Sequence, residues 1–406
     1  MRQSEALAEK RPPIPATVWA LGLVSLFMDI SSEMIHSLLP LFLTGTLGAS
    51  VVLVGLIDGI GESTAAISKI FSGYISDKLG RRKPLLLIGY GLGALTKPFF
   101  AIAMGPMIVL GARFADRIGK GIRGAPRDAL VADVTPQEIR GRAFGLRQSL
   151  DTVGAVAGPL IALALMALLA SDIRAVFWVA AVPGLIAVLF VLFGVRERRE
   201  THTNSSGNLP ISFKSVARFP AAFWVVAAIG VMFTLARFSE AFLVLKASEE
   251  GLPLVLAPMV LILMNIVYAL GAFPAGIASD RIPAANLLLL GLMVLVAADF
   301  CLALMPGLWG AFSGITLWGI HLALTQGLLS KLVADHSPAD LRGSGFGLFN
   351  LLTGIVMLVA SLLAGILWEA AGSGATFLAG AVFASMSAGI VVFFRRHLRP
   401  AVPRAR

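Results

Sequence analysis

LVADVTPQEIRGRAFGL, residues 130–146, returns in the second half of the chain as LVADHSPADLRGSGFGL, residues 332–348. Ten of the seventeen positions are identical, at a constant offset of 202. A second pair, Gly73-Tyr74-Ile75-Ser76-Asp77 and Gly276-Ile277-Ala278-Ser279-Asp280, is offset by 203, half of the 406 residues. Two matches at half the chain length mark an internal duplication. In membrane carriers, repeats of this kind put the solute path at the interface between halves, near the bilayer midplane.

The composition around these repeats is that of a membrane protein. Hydrophobic residues make up 57% and charged residues 14%, against roughly 25% charged in soluble domains. Mean hydropathy is +0.86. A soluble core stops growing at roughly 250–300 residues and could not hide this much apolar surface. Disorder and coiled coil are excluded, and Cys301, the one cysteine, supports neither an intramolecular disulfide nor a zinc cluster. Apolar segments run at 17–45, 51–75, 84–103, 106–126, 140–168, 174–195, 220–247, 254–278, 284–304, 307–331, 343–368 and 374–395. A helix crosses a bilayer with ~20 such residues. The expected fold is an all-α membrane protein with twelve transmembrane helices in two six-helix pseudo-repeated halves.

Basic residues orient the segments. Lys10 and Arg11 precede the first; Lys78, Arg81, Arg82 and Lys83 follow the second; Arg196, Arg198 and Arg199 follow the sixth; Arg395, Arg396, Arg399, Arg404 and Arg406 follow the twelfth. The alternate loops at 44–50 and 104–106 carry none. The positive-inside rule places both termini in the cytoplasm. The formal net charge of +10 thus reads as a topological and lipid-facing signal. Nucleic acid is not an expected partner, because no basic and aromatic residues interleave as they do in strand-binding grooves. The start of the chain leads into a long apolar run rather than a short one with a small-residue cleavage site, so it reads as a cytoplasmic tail. The expected organisation is a tail at 1–16, a six-helix bundle at 17–195, a polar cytoplasmic linker at 196–219, a second six-helix bundle at 220–395 and a basic cytoplasmic tail at 396–406.

Two short motifs stand out. Between segments two and three lies Gly73-Tyr74-Ile75-Ser76-Asp77-Lys78-Leu79-Gly80-Arg81-Arg82-Lys83. Gly80 permits a tight turn, and the basic run holds the loop on one face of the membrane. The repeat copy keeps Asp280-Arg281 but lacks the second Gly and the basic run. In segment five, Gly154 and Gly158 lie at i and i+4 and are followed by Pro159. Such spacing lets a neighbouring backbone approach closely, and the proline permits a bend.

The two six-helix repeats, the cytoplasmic linker and these motifs resemble the major facilitator superfamily, over essentially the whole chain and with closest likeness to bacterial drug or metabolite:proton antiporters. The resemblance implies that Gly73, Asp77, Gly80 and Arg81 form a conformational latch, with Asp77 meeting the other half near the start of segment eleven. A carboxylate at a helix N-terminus gains ~0.3–1 kcal/mol. Asp280 would be the second copy of the latch, or a topological residue only. The resemblance also implies that Gly154, Gly158 and Pro159 form an antiport-type motif, that segments one, four, seven and ten line a central cavity, and that an Arg of segment four is linked to proton movement. Arg117 with Gly121 fits the family's spacing, and Arg113 with Phe114 fits its Arg-Phe pattern; both registers stay open.

Ionisable residues within a span cost ~2.5–3.5 kcal/mol on insertion scales and are functional candidates. Segment one places Asp29, Ser32, Glu33 and His36 on one face, and segment two does so with Asp58, Glu62 and Lys69. Segment four carries Arg113, Asp116, Arg117 and Lys120; segment five adds Arg147 and Asp151. The second half offers Arg237 and Glu240, then His321, Thr325 and Gln326. Carboxylates of segments one and two are expected to face cations of segment four, and Asp116 to neutralise a neighbouring Arg. Asp58, Glu62 and Lys69 read as cavity residues or as a structural ion pair, and His36 as a proton carrier or a hydrogen-bonded wall residue. Asp29, Glu33 and His36 lack a Cys or Met partner for a transition metal, so no metal and no cofactor are expected.

The leading reading is secondary active transport of a small organic solute by alternating access, with proton-coupled efflux by antiport. Asp29 or Glu33 would carry the proton, tuned by Arg113 or Arg117. The alternatives are a proton-coupled importer of a small organic anion or metal chelate, and a non-transporting membrane sensor. No GxxxxGK[ST], HExxH or GxSxG pattern is present, so neither ATP as direct energy source nor an enzyme is expected. Expected partners are the solute, protons and the lipid bilayer, with the chain acting as a monomer in the cell inner membrane. Three Tyr among many Met and Phe suggest an adaptable apolar pocket.

Overall fold

The structure, a computed structural model, describes residues 13–79, 81–136, 139–197, 218–325, 328–338 and 341–395. Twelve long helices form it: α1 Ala16–Thr46, α2 Val51–Leu79, α3 Lys83–Ile102, α4 Pro106–Val134, α5 Arg140–Leu168, α6 Ile173–Gly194, α7 Ala221–Glu249, α8 Met259–Arg281, α9 Ala284–Leu304, α10 Gly307–His336, α11 Arg342–Ala371 and α12 Ser373–Phe393. Among the described residues there is no strand. Only helices satisfy their own backbone groups in hydrocarbon, which is why long apolar runs take this form. Leu95, Phe99, Leu185, Leu270 and Val382 are exposed on the outer surface, as lipid-facing residues are.

Local chemistry sets the helix ends. Pro15, Pro220 and Pro283 stand just before α1, α7 and α9. Asp172 caps α6 by accepting from Arg174 N at 2.9 Å and Ala175 N at 3.2 Å. Gly307 and Gly372, with φ of +79° and +85°, turn the chain into α10 and α12 at conformations that suit glycine.

Eleven of these helices are apolar enough to cross a membrane on composition alone. The twelfth, α4, is not, because Arg113, Asp116, Arg117, Lys120, Arg123, Arg127 and Asp128 all lie on it. It spans because most of that charge is turned inward against α2 and α3, where partners wait. α7 differs from the continuous segment expected at 220–247. It runs as Ala221–Ala236 and Ala241–Glu249, broken at Arg237–Glu240. Ser239 Oγ accepts the Ala241 amide at 3.1 Å and restarts the helix.

Within the first six helices α1 packs on α5 and α6, and α4 on α2 and α3; within the last six α9 packs on α10 and α12, and α8 on α10. Two seams join the sets, α2 against α11 and α5 against α8. The α2–α11 seam extends from Val52 beside Gly365 to Ala66 beside Gly354. At the end away from the linker, Val52 N donates to Glu369 Oε1 at 2.9 Å, and the backbone turn Leu39–Leu41 touches the second piece of α7. The halves are therefore closed at that end.

Candidate functional site

Mid-span, an ionic network joins α1, α2, α3 and α4. Arg113 Nη2 donates to Asp58 Oδ1 at 2.9 Å and stands 3.7 Å from Glu62 Oε1. Arg117 Nη2 lies 3.2 Å from Glu62 Oε1. His36 Nδ1 is 3.4 Å from Glu33 Oε2, and its Nε2 is 4.0 Å from Asp58 Oδ2. Asp58 also reaches the second half, where Ser239 Oγ donates to its Oδ2 at 2.5 Å. The break in α7 thus delivers a hydroxyl to a carboxylate held by an α4 arginine. Guanidinium and carboxylate hold each other most strongly in such dry surroundings, where each lost partner leaves an uncompensated charge.

A cavity of about 220 Å³ opens beside this network. Its first-half wall carries Glu33, His36, Asp58, Glu62, Arg117 and Lys120, and its second-half wall Arg237, Glu240 and Asn265. A larger space of about 460 Å³ continues from it past Asp29, Lys69, Arg127, Gln148 and Asp151. Apart from Asp29 on α1, these residues lie on the linker-side stretches of α2, α4 and α5, so the cavity faces the linker end of the bundle. The expected apolar pocket is corrected here: charged groups from both halves dominate the lining, and Phe238, Met357 and Tyr268 are its main apolar or aromatic contributors. Scattered Met and Phe face lipid and core instead.

The glycines of α5 place α1. A Cβ at Gly154 would stand 2.7 Å from Leu26 O and 3.0 Å from the Cβ of Asp29; one at Gly158 would stand 2.7 Å from the Cβ of Glu33. Both carboxylates of α1 thus reach the cavity because α5 has no side chain in their way. Pro159 is buried within α5, next to Gly158.

Asp29, Glu33, His36, Asp58, Glu62, Arg117, Arg237 and Glu240 all line the cavity, and Arg113 supports it through Asp58 and Glu62. Arg237 and Glu240 lie 3.9 Å apart at the α7 break. His321 is buried away from it, with Nδ1 2.8 Å from Gly291 O and its ring against Phe233. Gln326, Gly80 and the side chains of Asp77 and Asp280 lie outside the described residues; Gly73 packs near Ala125 of α4, and Arg81 is exposed at the linker end. Among the described residues no three of His, Cys, Asp and Glu group closely enough to hold a metal ion.

Asp116 keeps its arginine neighbour but has a nearer partner. Its main partner is Lys97 of α3, Nζ to Oδ1 at 2.9 Å, with Arg117 Nε farther off at 3.9 Å from Oδ2. Lys97 Nζ also donates to Ser32 Oγ at 3.1 Å. Sequence reasoning passed over Lys97 and Asp299, although each is an ionisable residue inside an apolar run. Asp299 is fully buried, and neither carboxylate oxygen finds a hydrogen-bond partner among the described residues. Ser239 carried no signal beyond its place beside Arg237 and Glu240.

Twelve spanning helices around a buried, charge-lined cavity between two similar halves define a polytopic carrier fold. The chain belongs to the Major Facilitator Superfamily, whose profile matches residues 21–360 and 251–406. It is 32% identical over 383 residues to an MFS-type transporter of Methanocaldococcus jannaschii, covering 93% of this chain and 94% of that one. It is 30% identical over 305 residues to the class C tetracycline resistance protein of Escherichia coli, covering 71% and 74%. A solved bacterial homologue of the human lysosomal transporter Spinster, in an inward-facing and unoccupied conformation, shares the fold with a TM-score of 0.75 at 16% identity, over 97% of this chain and all of that one.

Proposed function

We propose that this protein exports a small, hydrophilic, charged or zwitterionic organic solute in exchange for protons, by alternating access about the mid-span cavity. The observation that carries the reading is the cavity wall: Lys120 and Arg237 line one space with Glu33 and Glu240, to which both halves contribute. Lys120 has no hydrogen bond or ion pair within 4 Å among the described residues, and Arg237 has only the 3.9 Å contact to Glu240. These cations remain available to an anionic group, and the carboxylates to a cationic one. Export draws support from the name of the Escherichia coli relative. The closed end then faces out and the open end the cytoplasm, with both termini on the cytoplasmic side of the cell membrane and the chain acting as a monomer.

For the proton, the geometry favours Asp29 over Glu33. Glu33, Asp58 and Glu62 have basic partners. Asp29 has none within 4 Å among the described residues and shares its stretch of the cavity wall with Asp151, a second carboxyl group. A proton there lowers the negative charge of that wall, and a solute cation would do the same. Binding of the two is thereby made competitive, as exchange requires.

Purified protein in liposomes, tested with a panel of radiolabelled amino acids, amines, organic anions and zwitterions, decides the matter. Counterflow of at least one charged solute is expected, with uphill uptake when the lumen is acidic. Uptake driven instead by acid outside would make the protein a symporter, and no counterflow with any solute would favour a sensor. Asp29→Asn is expected to keep counterflow and lose pH-driven accumulation; full accumulation in that variant would move the proton site to Glu33 or to α2.

A further inference from the structure

A second cavity, of about 720 Å³, lies at the linker end, far from the central one, between the start of α3 and the end of α6. Arg81, Lys83 and Arg196 line it with Glu197, over a floor of Leu87 and Val195. The one carboxylate is already committed. Glu197 accepts from the backbone N–H of Arg82 at 2.5 Å and of Lys83 at 3.1 Å, so it caps α3. Lys83 Nζ is committed too, donating to Leu192 O at 2.8 Å and Val195 O at 2.7 Å. These ties fix the walls and leave two guanidinium groups. Neither Arg81 nor Arg196 has a side-chain hydrogen bond or ion pair among the described residues, and both are exposed. Thr17 Oγ1 donates to Arg196 O at 3.3 Å and holds its backbone against α1.

Exposed apolar side chains lie near it in sequence: Ile88, 56% exposed, is five residues from Lys83, and Leu192 and Phe193, 43% and 78% exposed, are four and three residues from Arg196. In a membrane chain such side chains face acyl tails. A molecule with an anionic head at the arginines and a hydrocarbon tail along Ile88 and Phe193 fits both halves of the surface. Basic pockets between spanning helices on the cytoplasmic side suit lipid head groups in this way.

We propose that this cavity is a binding site for the phosphate head group of an anionic phospholipid, held by Arg81 and Arg196. The lipid would clamp α3 to α6 through chemistry separate from the solute site.

The test uses the full chain in neutral detergent, titrated with phosphatidylglycerol, phosphatidylcholine or soluble glycerol 3-phosphate. Melting temperature and native mass spectrometry give two independent readouts. Phosphatidylglycerol is expected to raise the melting temperature more than phosphatidylcholine and to remain bound as an adduct. Arg81→Gln and Arg196→Gln should each weaken apparent phosphatidylglycerol affinity about fivefold, as removal of one basic residue beside an anionic lipid predicts. Both side chains are exposed and unpaired, so neither variant threatens folding. The charge-matched single controls Arg142→Gln and Lys331→Gln, at residues that are also exposed, should each leave affinity unchanged. The proposal is overturned if the arginine variants bind as the parent does, if either control loses as much, or if phosphatidylcholine or glycerol 3-phosphate matches phosphatidylglycerol.

Discussion

Asp58 shows how a single side chain can link two halves of a carrier. It takes a guanidinium from α4 on one oxygen and the Ser239 hydroxyl from α7 on the other. A hydrogen bond to a charged group contributes ~1.5–3 kcal/mol net. Ser239→Ala removes a cross-half bond present while the end away from the linker is closed. The expected outcome is a shift toward opening at that end by roughly tenfold to a hundredfold, in line with that energy. Accessibility of a cysteine placed at Ser361 to an impermeant thiol reagent would report it, and unchanged labelling would mean that the bond has no share in closure. Glu250, just beyond α7, offers a titration outside the bilayer. The hydrogen bond from Lys246, then the one from the Gly307 amide, hold its carboxyl below the usual glutamate range. A depressed value means that the folded chain takes up the proton less readily than the unfolded one. The stabilisation is present above the ordinary value of 4.5 and is lost as pH falls through the folded value. Glu250→Gln is expected to melt below the parent at about pH 7, with the gap narrowing toward about pH 4. A gap independent of pH would remove the electrostatic explanation. The pairing of α4 cations with α2 carboxylates was legible from spacing on each helix. The choice of Lys97 over Arg117 by Asp116 was not, since it depends on how α3 is rotated against α4.

Elements were legible where length and apolarity alone decide. The twelve segments and their order follow from the need to satisfy every backbone group in hydrocarbon, and α4 was read as a segment at 106–126 despite its charge. The break in α7 left no such trace, because Arg237-Phe238-Ser239-Glu240 contains neither Gly nor Pro, and tertiary partners rather than propensity interrupt the helix. Small-residue spacing on α5 was legible as close packing, though the partner was not: the glycines meet α1 at the backbone of Leu26 and Ile30 and the Cβ atoms of Asp29 and Glu33. Gly158→Ala is accordingly expected to push Glu33 and cost ~1–3 kcal/mol through overpacking, with a lowered melting temperature and impaired transport. Gly145→Ala is the internal control. It lies on the same helix with nothing within 4 Å of an added Cβ, so the better helix former should leave stability unchanged or slightly higher. Equal effects of the two substitutions would mean that helix propensity, not the α1 contact, explains the result.

At the scale of the whole molecule, alternating access requires the contacts at the closed end to break in every cycle. The contacts there include Val52 N to Glu369 Oε1, Asp58 to Ser239, Leu39–Leu41 against the second piece of α7, and the far stretch of the α2–α11 seam. The cavity between the halves is meanwhile open toward the linker, so under the alternating access proposed above the described arrangement would be one end point of the cycle. A covalent bridge across the closed end should hold the molecule there. Cys301, the one native cysteine, is first replaced by Ala, and cysteines are placed at Val52 and Glu369, whose native groups already touch across the halves. A short bifunctional thiol reagent should then join α2 to α11. The bridged protein is expected to lose counterflow, while the unbridged double-cysteine protein retains it. A solute that enters from the linker end should still bind, because the bridge lies at the other end of the bundle. Loss of transport with retained binding separates a blocked cycle from a damaged site. Transport at the parental rate by the fully bridged protein would show that the closed end does not open in the cycle, and a path through the mid-span cavity by rocking of the two halves would have to be abandoned.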